Sequence, residues 1–231
     1  MEIRNIVKRK SIVLCGKGPL ARKILDWYVD RPEKYTVLYV VPVVPPEDWY
    51  ECDLAEYAAG LGLAVEHSGD IDRIPRLFEK ERYADILQLV FYKRILRKET
   101  ISQFGTALNV HMSELPKYRG ARGINWALKN GEQFQGVTIH KVTEKLDQGS
   151  IYSQNRFSIY PQFEEVADVY QRSLEYAYTL FTQTLPLLDM IEPAEQDQSK
   201  ATYYSSKDFS ELGDRLTFTK AASIQENKKN S

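Results

Sequence analysis

The chain has 231 residues, 43% apolar and 27% charged, which suits one globular domain with an appendage better than two equal domains. Lys and Arg at 31 against Asp and Glu at 32 leave a net charge of −1, so no electrostatic footprint for a polyanion is present and nucleic acid is disfavoured as a partner. No apolar stretch approaches the roughly 18 residues of a membrane span, and the run Ile12–Cys15 falls short of the roughly 7–15 of a signal core, so a cytoplasmic protein with no membrane attachment is expected.

The first expected element is a short apolar strand over Ser11–Cys15, followed by a glycine turn. A helix comes next, with Pro19 in its first turn and Leu20, Ile24, Leu25 and Tyr28 on one face. YTVLYVVPV reads as a second strand, closed by Pro45 and Pro46. DLAEYAAGLGLAVE reads as a helix carrying Leu54, Tyr57, Ala58 and Leu61, feeding a strand near Ala64. Ile74–Lys80 is expected to be helical, ADILQLVFY a buried strand, KETISQF a short helix and TALNV a further strand. Strands alternating with helices, with nearly continuous apolar strands, predict a Rossmann-like α/β fold: a mostly parallel sheet covered by helices on both faces. Beyond it, GINWALKNG predicts a helix stopped at Gly131, and GVTIHKV and SIYSQNRFSI predict strands with one exposed face. Glu165–Leu188 is the longest expected helix; the polar AEQDQSK reads as a linker, ATYYSSKDF as a small strand, and the tail from about Ala221 as disordered.

Gly16-Lys17-Gly18-Pro19-Leu20-Ala21 matches the G-x-G-x-x-A dinucleotide fingerprint between a strand and a helix. That chemistry also needs a carboxylate at the end of the second strand to hold a ribose hydroxyl. VVPVVPP offers none before Glu47, so a structural turn is the favoured reading, with a phosphate at the helix N-terminus and a dinucleotide as alternatives. Cys15 and Cys52 match no metal or redox spacing, and the three histidines show no ligand spacing, so no metal site is expected.

LNVHMSELPKYRG, Leu108–Gly120, carries the strongest chemical signal. His111 ends an expected parallel strand, where open α/β sheets place their ligand crevice, and Asn109 shares its face two residues earlier. LNVH-S-LP-YRG, NWALKNGE, GVTIHKV and LDQGSI follow in order from Leu108 to Ile151. This series resembles the catalytic core of the folate-dependent formyltransferases, which act on methionyl-tRNA, on glycinamide ribonucleotide or on amino sugars of nucleotide carriers. The sequence departs from the family at Glu114, where Leu is usual, and at Gly123-Ile124, where a Pro is common.

The resemblance implies a catalytic trio of Asn109, His111 and Asp147. In the family an amine attacks the formyl carbon of N10-formyltetrahydrofolate, the co-substrate, giving an oxyanion. Asn109 can donate an N–H to that oxygen, one such donor being worth about 3–4 kcal/mol. His111 can stabilise the oxyanion or carry the proton, and Asp147 can fix the imidazole or take the amine proton. The family's folate segment maps to Val90, Phe91, Tyr92, Lys93, Ile95 and Leu96, where Phe91 and Tyr92 are equally readable as core. His140 reads as structural or supporting the site, and His67 as a surface residue.

The motif wording stands nearest the enzymes that use amino sugars on nucleotide carriers, with dTDP-4-amino-4,6-dideoxyglucose for surface polysaccharide as the expected acceptor. A pyrophosphate needs cations and a base needs a flat ring: Lys17, Arg119 and Lys207 are candidates for the first, Tyr203 and Tyr204 for the second. Trp126 is readable as core or as substrate-facing. The implied organisation is a catalytic domain over residues 1–190, a short segment over 191–220 able to make a homodimer contact, and a disordered tail over 221–231.

Overall fold

Strand β1, Lys10–Gly16, holds Ile12, Val13, Leu14 and Cys15 out of solvent altogether, as a strand covered on both faces requires. The computed structural model to which it belongs describes residues 9–44 and 53–212. Cys52, Glu47, the pair Pro45-Pro46 and the tail over 221–231 therefore lie outside the described residues. Two compact units divide the chain, 1–108 and 109–231.

In the first unit β1 feeds α1, Gly18–Val29, with Pro19 at its start. Leu20, Ile24, Leu25 and Tyr28 are fully buried at helical spacing, each such side chain contributing about 1.5–3 kcal/mol by leaving water. Strand β2, Tyr35–Pro42, and then β3, Ala84–Val90, pair with β1 in parallel, one on each side. Between them α2, Leu54–Gly60, is capped by the Asp53 carboxylate, which accepts from the Ala55 and Glu56 N–H groups. Helix α3, Lys98–Ser102, precedes β4, Phe104–His111.

Gly16 ends β1 so close to β3 that a Cβ would overlap the Val90 carbonyl oxygen. That approach accounts for a glycine in the turn without any ligand.

In the second unit β5 is the two-residue Arg119–Gly120, and α4 runs over Gly123–Lys129. Strands β6, Phe134–Lys141, and β7, Ile151–Ser158, pair antiparallel. Helix α5, Val166–Thr184, opens with a reciprocal cap between Glu165 and Asp168. It packs against α4, β6 and β7 through Val169, Leu174, Ala177, Leu180 and Phe181. The two-residue strand β8, Tyr203–Tyr204, pairs in parallel with β5. The large sheet runs β2-β1-β3-β4-β6-β7, mostly parallel as the sequence predicts.

Several local expectations are corrected. Ile74–Lys80 forms turns, not a helix, because Arg76 sits at φ 62, which no right-handed helix accommodates. The strand near Ala64 reduces to a single bridge, Val65 to Val40, and Leu61 is exposed. Strand β6 is buried from Gln135 to His140 on both faces, since α5 covers one and interior side chains the other. The α-helical part of the longest helix stops at Thr184, where Leu185–Met190 tightens into 3₁₀ geometry around Pro186. The supposed linker is exposed as expected but tied down at two points: Ala194 pairs with Ile151 in both directions and Gln196 is buried.

Among the described residues no helix is long and apolar enough to cross a membrane. No group of three or more metal-binding side chains is assembled among them either.

Candidate active site

Strand β4 delivers Asn109 and His111 to its C-terminal end, and a tight loop after β6 delivers Asp147. The three meet. Asp147 Oδ2 lies 3.6 Å from His111 Nδ1, and Asn109 Nδ2 lies 3.5 Å from Asp147 Oδ1. His111 and Asp147 are 9% and 7% exposed, so this polar cluster is nearly dry and its electrostatics are weakly screened.

Each member has further partners. His111 Nε2 donates to the Tyr118 carbonyl at 2.9 Å, which fixes the ring with Nδ1 facing the carboxylate. His140, from β6, joins the site: its Nδ1 donates to the Lys141 carbonyl at 2.9 Å and its Nε2 accepts from Asn109 Nδ2 at 3.2 Å. Its Nε2 also lies 3.5 Å from Asp147 Oδ1. Asp147 Oδ2 accepts the Gly120 N–H at 2.8 Å, a shorter contact than those to His111, His140 and Asn109.

Burial alone would raise the Asp147 carboxyl. Attraction to the His111 imidazole, with the proximity of His140 and the Gly120 N–H, outweighs it and holds the group well below the ordinary carboxylate range. Asp147 also sits at φ 52, in the left-handed region that Asp tolerates better than most residues.

The loop between β4 and α4 is held from two sides. On one, Thr138 Oγ1 donates to the Ser113 carbonyl and accepts the Leu115 N–H, while Gln135 Nε2 donates to the Met112 carbonyl. On the other, Thr202 accepts the Tyr118 N–H through its hydroxyl and the Arg119 N–H through its carbonyl. Neither Gln135 nor Thr202 carried any sequence signal, because a buried amide or a threonine at a strand edge has no motif.

Glu114, the departure from the family pattern, has a structural account. Its Oε2 lies 3.3 Å from Arg156 Nε, and the Arg156 guanidinium stacks over Phe134 at 4.2 Å. The arginine side chain is 54% exposed, so the pair contributes at most about 1 kcal/mol. Glu114→Gln is therefore expected to shift the melting temperature by no more than about 4 °C, read by calorimetry; a larger loss would mean the carboxylate has another task.

Of the expected folate segment, Val90 and Leu96 are buried, Phe91 and Tyr92 half-buried, Lys93 exposed, and Ile95 is 70% exposed. Phe91 adopts φ 55, and the Tyr92 hydroxyl donates to the Gly69 carbonyl at 2.9 Å. Lys17 is half-buried, with its N–H donated to the Val90 carbonyl.

The expected substrate contacts are placed unequally. Arg119, expected as a cation for a pyrophosphate, is buried, and its guanidinium donates to Gln196 and Gln198. The Tyr204 ring is already stacked, on Trp126 at 4.1 Å and on Tyr118 at 5.7 Å between centroids. Trp126 is 2% exposed, which makes it a core residue, with a buried Nε1 that finds no hydrogen-bond partner among the described residues. Tyr203 and Lys207 are exposed.

A parallel α/β sheet that brings an amide, an imidazole and a buried carboxylate together at one strand end has the equipment of an acyl-transfer site. Residues 75–185 match the family described as formyl transferase. It is 32% identical over 201 residues to a methionyl-tRNA formyltransferase of Caldicellulosiruptor saccharolyticus, across 84% of this chain and 64% of that protein. The chain thus spans somewhat less than two thirds of that relative's length.

Among solved structures, it resembles an N-formyltransferase from Helicobacter canadensis in complex with folinic acid and dTDP-3-aminofucose. That likeness has a TM-score of 0.72 at 24% identity, over 87% of this chain and 72% of the other. A sugar 3N-formyl transferase solved in the presence of dTDP and 5-N-formyl-THF gives a TM-score of 0.72 at 22% identity, over 86% of this chain and 70% of the other. At these identities the structural likeness establishes the fold.

Proposed function

We propose that this chain transfers a formyl group from N10-formyltetrahydrofolate to the amine of a nucleotide-linked amino-dideoxy sugar destined for surface polysaccharide. The observation that carries the reading is the Asp147 carboxylate facing His111 Nδ1 at 3.6 Å, with the Asn109 amide against both Asp147 and His140.

The donor set fits an acyl group in transit, and the folate supplies that group. Asn109 Nδ2 makes one ordinary bond, to His140 at 3.2 Å, and one long one, to Asp147 at 3.5 Å. The long one is the bond a developing oxyanion can replace at small cost. His111, steered by the Tyr118 carbonyl at one nitrogen and Asp147 at the other, takes up or delivers the proton of the attacking amine. Asp147, held as an ionised carboxylate, orients that ring from 3.6 Å. Segment Val90–Leu96 is the proposed folate contact, with the exposed Ile95 offering apolar surface to a flat ring system.

The sugar acceptor is supported by the dTDP-3-aminofucose bound to one structural relative, by the dTDP present with another, and by a net charge of −1, which is a poor match for tRNA. Lys17, Tyr203 and Lys207 are the proposed nucleotide contacts. The methionyl-tRNA relative at 32% identity favours a second reading, in which the acceptor is the amino group of a charged tRNA. A cytoplasmic homodimer with residues 1–190 as catalytic domain completes the proposal.

The test incubates purified protein with N10-formyltetrahydrofolate and dTDP-, UDP- and GDP-linked 3- and 4-amino sugars, with methionyl-tRNA in a parallel arm. We expect one sugar nucleotide, with dTDP-4-amino-4,6-dideoxyglucose tried first, to gain the mass of one CO as tetrahydrofolate appears. Formylation of the tRNA alone would select the second reading; no product in any arm would reject both.

A further inference from the structure

We propose that Gln196 and Arg119 form a positioning clamp that sets the aim of the Asp147 carboxylate, an inference that rests on the formyl-transfer reading of the site. Gln196 lies in a stretch whose composition is that of a solvated connector, yet it is 6% exposed and every polar position of its amide is used. Its Nε2 donates to the carbonyls of Asp147 at 2.9 Å and Gly149 at 2.8 Å, spanning the turn that presents the carboxylate. Its Oε1 accepts from Arg119 Nε at 3.0 Å and Nη2 at 2.6 Å, and Arg119 Nη1 donates to Gln198 Oε1 at 3.0 Å.

The bonds close on themselves. Asp147 is held at its carbonyl by Gln196, Gln196 by Arg119, and the next residue after Arg119 is Gly120, whose N–H holds Asp147 Oδ2. Backbone and side chain of one residue are thus fixed by the two ends of a single circuit. Such a device is needed because Asp147 sits at φ 52, a conformation that persists only where the surroundings over-determine it. The bonds from Gln196 to Arg119 and to the Asp147 and Gly149 carbonyls are buried, with Arg119 at 5% exposure, so water competes little for them.

Glutamine suits this task and its acid does not. A carboxylate at 196 would keep the acceptor for Arg119 while turning an oxygen towards two carbonyl oxygens. Gln196→Glu therefore keeps the segment anchored and removes only the grip on the turn; Gln196→Met removes both while preserving volume.

In both variants we expect kcat to fall on the order of 10²-fold, the cost of a misplacement near 1 Å, with KM for folate and acceptor unchanged. In an Asp147→Asn background the same changes should have no further effect on kcat. Amide exchange at Gly120 should accelerate at least about tenfold in both variants, read by NMR, and this arm stands whether or not the wild-type protein transfers formyl groups. A kcat near wild type, a loss carried by KM, an equal loss in the Asp147→Asn background, or unchanged Gly120 protection would each overturn the clamp. A wild-type protein without formyl transfer but with the expected exchange response would instead reject the reading of the reaction.

Discussion

Asp147→Asn is expected to lower kcat by about 10²–10⁴-fold with the fold intact, the range usual for losing a group that handles or steers a proton. Both carboxylate oxygens act as acceptors, Oδ2 for the Gly120 N–H and Oδ1 for the Asn109 amide. An asparagine has one acceptor oxygen, so one of these donors would meet an NH₂ group, and the His111 ring would lose the charge it faces. His111→Asn should fall in the same range. Steady-state kinetics on both variants, with circular dichroism to verify folding, decides the assignment; near-normal turnover in either sinks it.

The same substitution has a signature in stability. The folded Asp147 carboxyl titrates below its unfolded value of about 3.9, so it contributes stability that is fully present above that value and lost as pH falls through the folded one. The difference in unfolding free energy between wild type and Asp147→Asn should therefore narrow as pH drops below about 4. Urea titrations at a series of pH values would expose the opposite trend if the carboxyl were held protonated instead.

Gly149→Ala should be the most damaging conservative change in the second unit. A Cβ there would overlap the Lys141 carbonyl oxygen, which is backbone and cannot swing aside. That same oxygen accepts from His140 Nδ1, and the Gly149 carbonyl accepts from Gln196. We expect a loss of about 3 kcal/mol or more, hence a fall in melting temperature of roughly 6–12 °C for a chain of this size. Thermal unfolding within about 2 °C of wild type would show that the two backbone segments can separate freely.

How much of this was legible in the sequence depends on whether the cause was local. Helix α1 was readable because Leu20, Ile24, Leu25 and Tyr28 repeat at helical spacing and all four are fully buried. Asn109 and His111 were readable because extended backbone puts alternate residues on one face. Asp147 came only through the ordered motif series, since nothing local separates it from a turn residue.

What failed was decided elsewhere. Ile74–Lys80 was expected to be helical, but Arg76 adopts φ 62 and tertiary context overrides propensity. Strand β6 looked half-exposed, yet which faces are covered is settled by α5, an element that begins 25 residues after β6 ends (166 − 141). Gln196 looked solvated because its partners, Arg119 and the carbonyls of Asp147 and Gly149, are remote in sequence and two of the three are backbone.

The pairing of β5 with β8 carries a consequence for the order of events during synthesis. The hydroxyl that receives the Tyr118 N–H belongs to Thr202, 84 residues downstream. While the sheet strands leave the ribosome one after another, the loop that carries Tyr118, Arg119 and Gly120 must wait for its second wall. A nascent chain can thus display Asn109, His111 and Asp147 while only the Thr138 and Gln135 side of that loop is in place. The Gln196–Tyr204 segment supplies that wall, and the grip on the Asp147 turn, last in chain order.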